Sequence, residues 1–227
     1  MLSGRPPTTQ PGIDQLLDRL VSGSSRQKRS TASALEKVSE QLSNKAEEAL
    51  KSYSRDGDDW GAGWILQILQ RHQPAALEAI PEVSGGWFHA PSSLDIDYTH
   101  LQQALLREDF EEADRLTSCA LRELAGDQAV QRGYVYFSEV PPMESLDLTT
   151  IDRLWVAYSQ GRFGFTVQAR LLSALGGRYE RLWPKIGWKN EGVWTRYPGS
   201  FLWSMDAPEG HMPLVNQLRG VRLMDAL

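Results

Sequence analysis

Phe110, Ala113, Leu116, Thr117, Ala120, Leu121 and Leu124 return at i, i+3, i+6, i+7, i+10, i+11 and i+14. That spacing lays one apolar stripe along a helix and is incompatible with a strand, whose faces alternate every second residue. The same period marks most of the chain. Ile13, Leu16, Leu17 and Leu20 form one such face, with Asp14 and Asp18 opposite. Leu35, Val38, Leu42, Ala46, Ala49 and Leu50 predict a second, longer helix, and Trp64, Ile65, Ile68 and Leu69 a third. Pro74 and Pro81 bracket a short one. Beyond Tyr98 the pattern resumes through Leu101, Ala104 and Leu105. It returns again through Ile151, Leu154, Trp155 and Tyr158, and through Val167, Leu171, Ala174 and Leu175. Gly126 is placed to stop the helix that begins at Phe110, and Thr149 or Thr150 to cap the start of the one carrying Ile151. The only strand-like run, YVYF at 134–137, is too short to build a sheet. The expected fold class is all-α.

Periodicity lapses in SGGWFHAPSSLDID, residues 84–97, where Gly, Pro and Ser cluster. This predicts an N-terminal helical bundle over 1–83, a linker over 84–97 pinned by Trp87 and Phe88, and an all-helical core domain over 98–227.

Several function classes are disfavoured by composition. A formal charge of −5 argues against a nucleic-acid-coating protein, which needs a basic face. Cys119 is the single cysteine, so neither an intramolecular disulfide nor a thiolate zinc site can form. No apolar run approaches the roughly 20 residues of a membrane helix. MLSGRPPTTQPG lacks the apolar centre of a secretory signal. SGSSRQKRSTAS at 22–33 has a Ser/Arg flavour, but the amphipathic helix just before it reads as folded protein rather than a removable address.

Six of the 21 residues from Trp183 to Trp203 are aromatic, among Gly, Pro and Ser that forbid a long helix. Each ring buries about 150–250 Å², worth about 4–6 kcal/mol at ~25 cal/mol per Å². A loop cannot hide all six behind itself. On pattern alone they close a core, or some wait for a flat apolar partner. Downstream, in HMPLVNQLRGVRLM, Pro213 suits the first turn of a helix. Asn216, Arg219 and Arg222 then share a face beside the apolar Leu214, Leu218 and Val221. Two guanidiniums next to an aromatic loop suit a flat apolar body carrying carboxylates, and the Asn216 amide oxygen suits a hard ion such as Mg²⁺. The bland alternative is that the arginines face solvent. His211 has no neighbour at ligand spacing.

YTHLQQALLREDFEEADRLTS (98–118), IDRLWVAYSQGRFGFTVQ (151–168), IGW (186–188) and FLWSMDAPEGHMP (201–213) resemble, in order, the genomes-uncoupled family of tetrapyrrole-binding regulators. The helical region before them resembles the extension of cyanobacterial members. The resemblance implies an all-helical porphyrin-binding core shaped like a cupped hand. It also implies protoporphyrin IX and magnesium protoporphyrin IX as ligands, and stimulation of magnesium chelatase through its large porphyrin-binding subunit. Asn216, Arg219 and Arg222 stand where the family carries an Asn and two Arg contacts, Asn216 as a candidate axial ligand to porphyrin-bound Mg. Trp194, Tyr197, Phe201 and Trp203 would wall the pocket, and Phe163, Phe165 and Val167 floor or support it. Asp114 and Thr117 read as fold-holding.

The expected mechanism is binding without chemistry. No nucleophile–base pair or carboxylate dyad stands beside the aromatic segment, and GRFGF lacks the lysine and spacing of a phosphate-binding loop. The resemblance further implies a cytoplasmic monomer, peripheral at membranes at most, with the plastid stroma disfavoured. The alternative is a protein–protein scaffold whose aromatic loop is the partner interface.

Overall fold

A computed structural model of the chain describes residues 11–214 together with Met224 and Ala226. The described part is helical. The N-terminal helices are α1 (Ile13–Ser22), α2 (Ser25–Glu36), α3 (Ser39–Ser43), α4 (Ala46–Leu50), α5 (Trp60–His72) and α6 (Pro74–Glu78). The later ones are α7 (Thr99–Leu106), α8 (Phe110–Leu124), α9 (Asp127–Arg132), α10 (Ser145–Ala157), α11 (Phe165–Ala174) and α12 (Tyr179–Lys185). A hairpin of two-residue strands, β1 (Lys189–Asn190) and β2 (Val193–Trp194), interrupts the aromatic loop.

The single long helix expected over 35–50 is three short ones, α2 to α4, broken at 37–38 and 44–45. The Ser/Arg run at 22–33 is largely α2. Ser24 Oγ accepts from the Gln27 N–H while Gln27 Oε1 accepts from the Ser24 N–H, a reciprocal cap that fixes where the helix begins. Residues 134–137 form no strand; Phe137 opens a single 3-10 turn. α10 starts at Ser145, so Thr149 and Thr150 lie inside it instead of capping it. The Thr150 hydroxyl donates to the Pro91 carbonyl. Gly126 does stand just past the end of α8, after the cap residue Ala125, at φ +94°.

α5 is apolar on nearly every side and is buried from Gly61 to Leu69. It packs on α2 and α3 on one side and on α7 and α10 on the other. Two features allow this approach. A Cβ at Gly63 would lie 2.1 Å from the Ala157 carbonyl oxygen, so only glycine fits there. Four residues on, buried Gln67 donates its amide N–H groups to the carbonyls of Leu105 and Tyr158, at 3.1 and 2.8 Å. Segment 84–97 lies over this junction, with Trp87 and Phe88 buried. Gln102 accepts from the Phe88 N–H and donates to the Phe88 carbonyl. Asp147, fully buried on α10, accepts from the Ser93 N–H and hydroxyl and from the Tyr98 hydroxyl.

α8 and α10 meet at an aromatic centre. Phe110 stacks on Trp155 at 6.1 Å and meets Phe163 edge-on at 5.5 Å, while Trp155 Nε1 donates to Thr117 Oγ1 at 2.9 Å. Thr117 is thus fold-holding, as expected of it. Phe163 is fully buried in this centre, against Phe110 and Trp155.

Candidate functional site

The turn between α10 and α11 carries the RFGF sequence. Ser159 Oγ accepts from the Arg162 and Phe163 N–H groups and tightens it. Gly164 then sits at φ +131°, where a Cβ would fall 2.6 Å from Asp152 Oδ1. Asp152 needs that space: its Oδ1 accepts from the Thr166 N–H at 3.0 Å and caps α11 from the neighbouring helix. Burial pushes the Asp152 carboxyl up, and the bonds from Thr166 and Phe165 pull it down.

The same turn is stitched to the 207–213 loop. The Gly164 N–H donates to the Met212 carbonyl and the Gly210 N–H to the Arg162 carbonyl. Arg162 Nη2 donates to the Ala207 carbonyl. Gln168, buried on α11, donates to the carbonyls of both Gly210 and Pro213. His211 closes the knot. Its Nδ1 lies 2.6 Å from the Ile186 carbonyl, so it carries the proton, and its Nε2 accepts from the Leu202 N–H at 3.4 Å. Burial pushes its pKa down, so the ring is neutral near pH 7. Both nitrogens face backbone groups, which leaves neither for proton transfer to a bound substrate.

On this platform the aromatic residues fall into two groups. Tyr179, Trp183 and Trp188 stack at 5.1 and 5.5 Å, and Trp194 tilts against Trp183 at 5.7 Å. Lys189 Nζ lies 5.2 Å from the centre of the Trp194 ring, a cation over its face. The hairpin turn, Glu191–Gly192, has φ of +48° and +85°, as a tight primed turn requires. In the second group Tyr197 meets Phe201 and Trp203 edge-on, Phe201 stacks on Trp203 at 5.4 Å, and His211 lies 4.7 Å from Phe201. Phe201 is buried and Trp203 half-buried, whereas Trp194 and Tyr197 are each 42% exposed.

Behind Tyr179 lies a cavity of about 490 Å³ between α10 and α11, lined by Leu148, Asp152, Phe165, Leu172, Tyr179 and Met224 among others. Phe165 therefore faces a cavity that adjoins the stack, while Val167 is buried and does not line it. Pro213 lies in a bend after a cis Met212–Pro213 bond. Asn216, Arg219 and Arg222 lie outside the described residues.

Sequence reasoning missed Tyr179, Trp183 and Trp188 as the backing of the site, and Gln168 as its stitch. Gln168 closes the RFGF-x-VQ motif, which was the available signal. Asp114, read as fold-holding, bonds two segments of the site. Its Oδ2 accepts from the Tyr197 hydroxyl at 3.2 Å and its Oδ1 from the Leu214 N–H at 2.5 Å.

Among the described residues no cluster of three or more His, Cys, Asp or Glu could hold a metal ion. No helix there is long and apolar enough to cross a membrane.

Comparison with known proteins identifies the family. The chain is 53% identical over 163 residues to a Ycf53-like protein of Synechocystis sp., covering 72% of this chain and 66% of that protein. It is 35% identical over 133 residues to the tetrapyrrole-binding protein, chloroplastic, of Arabidopsis thaliana, covering 55% of this chain and half of that one. The solved structure of GUN4 from Chlamydomonas reinhardtii superposes with a TM-score of 0.57 at 38% identity, covering 61% of this chain and 88% of that one. The Arabidopsis relative also corrects the expectation of a cytoplasmic protein with the plastid stroma disfavoured, because that relative is chloroplastic. The family model described as GUN4-like matches residues 91–227, from the segment before α7 to the last residue, and the chain belongs to that family.

Proposed function

We propose that this chain binds protoporphyrin IX and magnesium protoporphyrin IX against the aromatic loop, and that it stimulates magnesium chelatase through that enzyme's large porphyrin-binding subunit. The observation that carries the reading is the half-exposure of Trp194 and Tyr197, each backed by stacked rings. A soluble protein has little reason to hold two large rings rigid and uncovered unless a flat apolar body covers them. Membership of the GUN4-like family, with a relative named for tetrapyrrole binding, supports a porphyrin as that body. Phe201 and Trp203 back the wall, and Phe165 and Val167 support it from α11. Arg219 and Arg222 would grip the propionates and Asn216 the magnesium. Lys189, over Trp194, is a further cation within the same region.

The role is carriage and regulation. Binding both substrate and product lets the chain deliver one, remove the other, or favour an active form of the chelatase. The division into a 1–83 bundle, an 84–97 linker and a 98–227 binding domain belongs to this reading, as does a monomeric state.

Titration with a soluble protoporphyrin analogue tests it, following tryptophan quenching and the Soret band together. Saturable one-to-one quenching with a shifted band is expected, weakened in Trp194→Ala and in Arg219→Ala by about 1–3 kcal/mol. No saturable change would overturn it. It would favour a second reading, a partner interface, for which the 71% exposed Val193 and the 46% exposed Leu202 supply additional apolar area.

A further inference from the structure

Asp114 lies in the middle of α8 with 1% of its surface exposed. Among the described residues its donors are both neutral, the Tyr197 hydroxyl and the Leu214 N–H, 83 and 100 residues away in sequence. Glu111, one turn earlier on α8, adds a like charge. Arg122 acts on Tyr197 from the same helix, and Arg115 is taken up by Glu112 at 2.6 Å. A buried carboxylate without a cation is costly. A neutral acceptor serves when only packing is at stake, as Thr117 does for Trp155 on the same helix. An ionised acceptor makes shorter and stronger bonds, and here both run to segments of the site.

We infer that Asp114 is a positioning residue of the porphyrin site: its carboxylate holds Tyr197 of the aromatic loop and the backbone of Leu214 in one fixed relation. The inference rests on the porphyrin reading above. Burial pushes this carboxyl up to about 7, against the pull of its two donors. On taking a proton it loses the ionic character of both bonds, and one oxygen turns from acceptor to donor. The tie slackens on the acid side of neutrality, and ligand affinity falls with it.

The test uses the full chain, Asp114→Asn, Asp114→Leu and the control Thr117→Val, which removes an equally buried bond on the same helix. Deuteroporphyrin IX is titrated from pH 6.5 to 8.5, and amide exchange is followed without ligand. Wild-type affinity should weaken at least threefold from pH 8.5 to 6.5 beyond any change in Asp114→Asn, which shares the titration of the ligand's own carboxylates. Exchange at 196–204 and at Leu214 should quicken about tenfold together in Asp114→Leu and stay unchanged in Thr117→Val. If Asp114→Leu does not fold, Asp114→Asn decides the matter through its pH profile. Equal affinities and profiles in wild type and Asp114→Asn overturn the inference, as does unchanged exchange in a folded Asp114→Leu. A wild type that binds no porphyrin overturns both readings, and faster exchange would then leave Asp114 as a tie without a ligand.

Discussion

The indole of Trp188 donates to the carbonyl of His211 at 2.8 Å, across 23 residues. Trp188 belongs to the stack behind Trp194 and His211 to the group around Phe201, so one buried bond registers the two aromatic groups against each other. Replacing Trp188 with Phe keeps a ring in the stack but leaves the His211 carbonyl without its donor in a dry interior. A loss of about 1–3 kcal/mol is expected, read as a lowered urea midpoint with unchanged helical circular dichroism. An unchanged midpoint would mean that water replaces the indole.

Asp114 gives stability a pH dependence of unusual sign. Its folded pKa, pushed up from 3.8 to about 7 by burial, exceeds the unfolded value, so the folded chain binds more protons between those limits. Stability from this group is therefore highest below the unfolded pKa and is lost as pH rises through the folded one. At about 1.4 kcal/mol per unit, the loss is of order 4 kcal/mol at most. The difference in unfolding free energy between wild type and Asp114→Asn, measured from pH 4 to 8, should move against the wild type as pH rises. A flat difference would deny the carboxyl its raised pKa. Porphyrin affinity is expected to move the opposite way over the upper part of this range, a pattern that general loosening of the fold cannot produce.

Gly164 tests the platform. A methyl there would sit 2.6 Å from Asp152 Oδ1 on a backbone at φ +131°. Gly164→Ala should therefore cost the strained backbone about 1–3 kcal/mol and the α11 cap about 1 kcal/mol. Thermal unfolding checks this, and a melting temperature within a degree of wild type would sink it.

Gly63 tests how much the GUN4-like region leans on the helices before it. With a Cβ only 2.1 Å from the Ala157 carbonyl oxygen, Gly63→Val must push α5 off α10. Overpacking of this kind costs roughly 1–3 kcal/mol or more, here at the residue preceding Tyr158 and the RFGF turn. Loss of stability in urea, together with changed near-ultraviolet dichroism, is the expected result. A native spectrum and midpoint would show that α5 can slide.

Much of the architecture was legible because burial imposes a period. The stripe from Phe110 to Leu124 gives α8 in full, and the faces at 13–20 and 167–175 give most of α1 and α11. The breaks within 35–50 were not legible, since apolar residues at 35, 38, 42, 46 and 49 keep a helical period across two turns. Thr149 and Thr150 misled for a related reason: a threonine that bonds a distant carbonyl looks the same in sequence as one that caps. At the site, composition pointed to the aromatic loop. It could not separate buried Phe201 from exposed Tyr197, because that depends on which ring His211 and Asp114 meet. Nor can a single sequence reveal that a carboxylate on α8 bonds residues 83 and 100 positions on.

The Trp183 and Trp188 rings lie within 8° of parallel at 5.5 Å. Indoles this close exchange excitation energy readily, and Trp194, 5.7 Å from Trp183, is near enough to exchange it with the pair. Light taken up by the buried pair can thus pass outward to Trp194, at the exposed face where a pigment would lie. The optical signal of this chain reports that wall as a whole, and a change at any one ring is felt by its neighbours.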